Sequence, residues 1–188
     1  PWSAWLQALW NDLLAAGAQQ DAHALLSAEG SAWLWDGIVA ADSSLLDARG
    51  AAESAASAWT LFHAWRTPGE SFAAWQHAGI HDDAAAFSRW ATRYQGALAQ
   101  RHLLDAALLA DVLTEAADRV PAWHEAPVLL AGFLEWTPQQ LRLLAALEAG
   151  GMTLARIALP TARHSTCTRT SYATPEAEVT AALVHARD

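Results

Sequence analysis

The sequence predicts a mainly α chain with a small α/β part: a multi-helix domain over residues 1–122, then a β-α-β segment within 123–188. Three observations predict it. Through the first 120 residues apolar side chains recur every three or four positions, the period of a helix that buries one face. At Val128 that period gives way to an unbroken apolar run, Val128 to Ala131, as expected of a strand covered on both faces. Thr137-Pro138 then opens a helix that Gly150-Gly151 closes, and a second strand, Met152 to Leu159, stops at Pro160.

Trp2, Trp5, Leu6, Leu9, Trp10, Leu13 and Leu14 define a first amphipathic helix ending at Gly17. Ser27 caps a second, with Trp33, Leu34, Ile38 and Val39 apolar, and Asp42-Ser43-Ser44 breaks it. A third runs from about Ala48 to Trp65 with Ala55, Trp59, Phe62 and Trp65 along one side, and Thr67-Pro68-Gly69 ends it. Ser71 begins a short helix through Phe72 and Trp75 that Gly79 stops. Asp82-Asp83 starts another, with Phe87, Trp90, Tyr94 and Leu98 on one face. Asp105 caps the next, built on Leu108, Leu109, Val112 and Leu113, and no strand is expected before Val120. Pro121 and Pro127 bracket a linker, Thr161 to Thr170 reads as polar loop, and Thr174-Pro175-Glu176 announces a last helix.

At 188 residues the chain is long enough for a fair-sized core. It starts at Pro1 and stops within a helical pattern at Asp188, so it is expected to be an internal fragment of a longer protein. All 11 basic residues are Arg in an Ala-rich background, the mark of GC-rich coding. A net charge of −9 restricts any nucleic-acid contact to local patches. The single Cys167 excludes an intramolecular disulfide, and no signal peptide or 18-residue apolar span appears. A cytoplasmic protein with no membrane partner is the expectation.

His77 and His81 stand four apart beside Asp82 and Asp83, a spacing that could gather metal ligands, but Gly79 between them breaks the helix such a pair needs. His164 and Cys167 lack further ligands at suitable spacing. No GxSxG, GxxxxGK[ST], GxGxxG or HExxH motif is present, which removes the usual support for a serine hydrolase, an ATPase, a dinucleotide enzyme or a zinc protease. The 11 Trp residues, at helical spacing among Leu and Ala, read as core rather than as base-stacking platforms. Arg89 and Arg93 flank Trp90 and, with Arg101, are candidates for DNA contact, against the plainer reading of a solvated helix face.

The stretch Ala131-Gly132-Phe133-Leu134-Glu135-Trp136-Thr137-Pro138-Gln139-Gln140 resembles the Walker B region of superfamily I helicases of the UvrD/RecB type. There an apolar strand leads into Asp-Glu-Phe-Gln-Asp and then a Ser/Thr-Pro-x-Gln helix start. Phe133, Thr137, Pro138 and Gln140 match, while Ala131 and Gly132 stand where the two acidic residues belong. Arg93 to Leu113 is similar to the helix pair preceding Walker B, and the stretch from Thr174 to the approach to the second motor domain. The whole string resembles inactivated AddB-type subunits of bacterial DNA repair and exonuclease proteins.

The resemblance implies a helicase 1B-like insertion with adjoining 1A helices over 1–122. It implies the edge of a degenerate P-loop motor domain over 123–188, entering the second motor domain near 170. It implies no catalysis and no cofactor in this segment, because Ala131 and Gly132 have no side-chain oxygen to order the water shell of Mg²⁺ or direct an attacking water. The next strand reads Ala155-Arg156-Ile157-Ala158-Leu159-Pro160 where such helicases carry Gly-Asp-x-x-Gln. Exonuclease chemistry, with its Mg²⁺, would lie elsewhere in the parent chain, and the partners would be DNA, met through the parent protein, and a helicase-nuclease subunit. Two rival readings stand beside it: an all-helical protein-interaction module with no DNA role, and a metal enzyme built on His77, His81 and Asp82 or Asp83.

Overall fold

Capping chemistry sets the helix ends along this chain, and apolar faces set what each helix packs on. A computed structural model describes residues 1–19, 23–42, 47–67, 69–72, 82–124, 127–157 and 170–185. The chain divides into two units, Pro1–Ala158 and Leu159–Asp188. The first holds helices α1 (Trp2–Ala15), α2 (Ala28–Ala40), α3 (Ala48–Trp65), α4 (Asp82–Gln100), α5 (Leu109–Glu115) and α6 (Pro138–Ala149). It also holds four short strands: β1 (Ala24–Leu25), β2 (Leu103–Leu104), β3 (Val128–Leu130) and β4 (Leu154–Arg156). In the second unit α7 (Pro175–His185) begins as Thr174-Pro175-Glu176 predicts, the Thr174 hydroxyl accepting from the Ala177 amide at 3.3 Å.

Gly17, at φ +62°, ends α1 in a Schellman turn: its amide donates to the Leu14 carbonyl and the Ala18 amide to that of Leu13. Gly151, at φ +109°, ends α6 in the same way through Glu148 and Leu147, which turns buried Met152 toward the core. Ser27 caps α2, Asp47 caps α3, and Thr137 and Gln140 form a reciprocal capping box at the start of α6.

The apolar faces form two clusters. In the first, Leu6, Leu9, Trp10 and Leu13 of α1 meet Leu109 and Leu113 of α5, Leu143 and Leu147 of α6, and Trp123. The second joins α2, α3 and α4 around a run of rings. Tyr94 stacks on Trp35 at 4.2 Å between centroids and meets Trp59 edge-on at 5.2 Å, while Phe72 lies 4.0 Å from Phe62. Such aromatic pairs add about 0.5–1.5 kcal/mol each beyond area burial.

One carboxylate joins the helices of the second cluster to the turn that leads into α5. Asp105, 5% exposed, caps the 3₁₀ turn Ala106–Leu108, its Oδ1 accepting from the Ala107 amide at 2.8 Å and from the Trp59 indole N–H at 3.1 Å. Its Oδ2 accepts from the Tyr94 hydroxyl at 2.7 Å and the Ser31 hydroxyl at 3.1 Å. Four donors from α2, α3, α4 and the turn itself match the four lone-pair sites of an ionised carboxylate.

The strands depart from expectation. β1 and β2 pair in parallel within the stretch where no strand is expected, because a two-residue ladder is too short to leave a periodic signature. β3 and β4 pair in parallel with Val128 opposite Leu154, so β3–α6–β4 is the predicted β-α-β unit. β3 is not covered on both faces, since Leu129 is 64% exposed in a sheet of just two strands. The second strand is Leu154–Arg156, shorter than Met152 to Leu159, and Pro160 and residues 161–169 of the expected polar loop lie outside the described residues. Residues 121–124, expected to be linker, form a 3₁₀ turn that buries Trp123 and lets its indole donate to Asp12 at 3.3 Å.

Asp105→Ala should cost about 3 kcal/mol or more in urea unfolding, because it strands four buried or half-buried donors at once. Tyr94→Phe removes one donor and should cost about 1 kcal/mol.

Candidate functional site

The carboxyl end of β3 is where an α/β unit presents chemistry, and the side chains there have none to offer. Ala131 and Gly132 are exposed, and Gly132 turns the chain out of the strand at φ +81°, a conformation that side-chain-bearing residues rarely adopt. An acidic residue at 132 would therefore meet backbone strain as well as a change of charge. Glu135 is exposed in the loop beyond.

The same loop instead builds an aromatic surface. Phe133 and Trp136 stack at 4.0 Å, and Trp2 of α1 approaches them at 6.1 and 6.3 Å and Trp5 at 5.3 Å. All four rings are half-buried, and Leu134 beside them is 90% exposed. Trp10, Trp35, Trp59, Trp90 and Trp123 are core as expected, but Trp33 is 70% and Trp65 46% exposed. Trp33 and Trp65 fall off the buried stripes of α2 and α3, which run through Leu34, Trp35 and Val39 and through Ala55, Trp59 and Phe62.

Arg89 and Arg93 are exposed one turn apart on α4, and Arg101 lies just past its end. Arg89 pairs loosely with Asp42 at 3.8 Å. Trp90 between them is 7% exposed and faces the core, so no basic-aromatic pair forms on this helix. Asp82 and Asp83 are exposed in the first turn of α4, where they favour the helix dipole, while His77, His81, His164 and Cys167 lie outside the described residues. Among the described residues no group of three or more His, Cys, Asp or Glu could hold a metal ion.

Two polar constellations escaped sequence reasoning. Ser31, Tyr94 and Asp105 bring a hydroxyl to a carboxylate, but the group is buried and its acceptor sites are filled, so it holds helices together rather than activating a nucleophile. Asp111 of α5 accepts from Arg66 Nη2 at 3.0 Å, Arg142 Nη2 at 3.2 Å and Gln139 Nε2 at 3.1 Å. Gln139 also donates to the Ala107 carbonyl and Arg142 to that of Arg66, which ties the end of α3 to α5 and α6. These partners lie 28 to 45 residues from Asp111, beyond any local pattern.

His63 lies against Trp59, Phe62 and Phe72 with neither ring nitrogen bonded. Burial, followed by the Arg66 charge, pulls its pKa down from 6.5 to about 4.

Neither a protein family nor a curated protein sequence matches this chain.

Because the His63 pKa is depressed in the fold, the unfolded chain takes up its proton first as pH falls. Stability attributable to His63 should be intact above pH 6.5 and decline between 6.5 and about 4. Thermal melts of wild type and His63→Phe across that window test it, and the variant should lose less.

Proposed function

We propose that the chain is a non-catalytic segment of a helicase-nuclease-like DNA repair protein, supplying scaffold and a DNA path while the parent chain carries the nuclease chemistry. The observation that carries this reading is the parallel β3–α6–β4 unit with Ala131 and Gly132 at the carboxyl end of its first strand. The strand, the Thr137 capping box and the helix match the element order of a Walker B region, and the oxygen ligands that region needs are missing. Nucleic-acid contact falls to Arg89, Arg93 and Arg101, exposed cations in an acidic chain. The parent's Mg²⁺ would serve its nuclease domain rather than this segment.

One observation favours a second reading. The half-buried rings of Trp2, Trp5, Phe133 and Trp136, with Leu134 projecting beside them, are the kind of surface that docks another polypeptide. Under that reading the segment is an interaction module with no DNA role.

The chain alone should show no Mg²⁺-dependent ATP turnover; turnover that substitutions at Ala131 or Gly132 abolish would overturn the first reading. In a single-stranded DNA titration, Arg89→Ala, Arg93→Ala and Arg101→Ala together should weaken binding and lower the salt slope by about 2, since each phosphate contact contributes about 0.7 and Arg89 is partly engaged by Asp42. DNA affinity unchanged by the triple variant, alongside binding lost on Phe133→Ala and Trp136→Ala in pull-downs with the partner subunit, would favour the second reading.

A further inference from the structure

Between α1, α4, β2 and α5 the first unit leaves a cleft of about 250 Å³ that neither reading uses. Leu103, Leu108 and Val112, each half-buried, give its accessible apolar wall, backed by Trp10, Leu13, Leu98 and Leu104, none more than 5% exposed. Its polar lining comes from Gln19, His23, Gln95, Glu115 and Arg119. His23 itself lies 6.1 Å, ring to ring, from His102.

Arg119 is the feature that calls for a ligand. It is half-buried just past the end of α5, and among the described residues its side chain makes no ion pair or hydrogen bond. The two other half-buried arginines of this unit, Arg66 and Arg142, are both committed to Asp111. In a chain of net charge −9, a half-buried cation without a partner among the described residues is the group in this cleft free to form a charge-assisted hydrogen bond with a bound anion.

Glu115, one turn before Arg119, also lines the cleft and sets the charge the ligand can carry. Its carboxylate repels a dianion such as a phosphate monoester about twice as strongly as a single carboxylate, which can engage Arg119 and leave the rest of the molecule on the apolar wall. The volume corresponds to about eight waters at roughly 30 Å³ each, enough for a body of about ten non-hydrogen atoms.

We propose that this cleft is a binding site for a small monocarboxylate with an aromatic or branched apolar body, held by Arg119 at the head and by Leu103, Leu108 and Val112 at the tail. The site is independent of any role in DNA metabolism.

The test is a titration of the whole chain with phenylacetate, its neutral isostere phenylacetamide and the cation phenethylammonium, followed by amide chemical shifts. Phenylacetate should give saturable shifts centred on Leu103, Val112 and Arg119. Arg119→Gln should weaken it about tenfold, Arg119→Lys should restore most of the loss, and the amide should bind about tenfold more weakly than the acid and be indifferent to Arg119→Gln. Equal binding of acid and amide, tighter binding of the cation, shifts centred elsewhere, or no saturable shift overturns the proposal. Arg119 is half-buried and, among the described residues, holds no other side chain in place, so its variants should keep the wild-type amide spectrum away from the site.

Discussion

The buried carboxylate of Asp105 is the constraint on which the helical part of this protein depends. An acceptor-only group can enter a core when donors meet it from several sides, and here they arrive from Ser31 of α2, Trp59 of α3, Tyr94 of α4 and the amide of Ala107. Each of those helices also packs an apolar stripe, which alone would allow sliding and rotation. The carboxylate removes that freedom, because a helix that slips by one turn loses its bond to Asp105 and leaves a polar atom unpaired in the core. Burial and this bond together push the Tyr94 hydroxyl well above its usual range, so it stays a donor.

From Asp105 the organisation extends a short distance to a second, wetter junction. Ala107, whose amide bonds Asp105, offers its carbonyl to Gln139, and Gln139 in turn reaches Asp111. Asp111 gathers Arg66 and Arg142, each about a quarter exposed, so this junction is screened by water in a way that Asp105 is not. Its value is positional: it fixes where α6 lies against α3 and α5, and through α6 the β3–β4 pair. His63 feels the charges of Arg66 and both carboxylates and is held neutral by burial, which makes this junction sensitive to acid.

Features governed by neighbouring residues could be read from the sequence. Ser27, Thr137, Thr174, Gly17 and Gly151 each act through groups within five positions, so their turns and caps were legible. The three- and four-residue apolar period located α1, α2, α3, α4 and α6 for the same reason. Long-range choices were not legible. On α6 the sequence offers Leu141, Leu143, Leu144 and Leu147, of which the last three are buried and Leu141 is 43% exposed, since packing on α5 decides which edge of the stripe is covered. An apolar strand such as Val128 to Leu130 reads the same whether one face is covered or two. Asp105 was legible as a cap through Ala107 but not as the acceptor for three helices, because those donors lie 11 to 74 residues away.

The two functional readings rest on different side chains with opposed demands. A surface that holds single-stranded nucleic acid combines rings with cations that follow the phosphates. The loop from Ala131 to Trp136 supplies rings, but its one charged residue is Glu135, and an anion beside a stacking surface repels a phosphate backbone. The exposed arginines of α4 have the right charge, yet the ring between them, Trp90, is turned into the core. Aromatic surface and positive charge are thus separated along this chain. If DNA passes it, α4 holds the backbone and the bases are not read there; if the β3–α6 loop meets anything, an apolar polypeptide suits it better than a nucleic acid. Ala131 and Gly132 fit both outcomes, because a strand end without oxygen ligands is free to be covered by a partner instead of by a nucleotide.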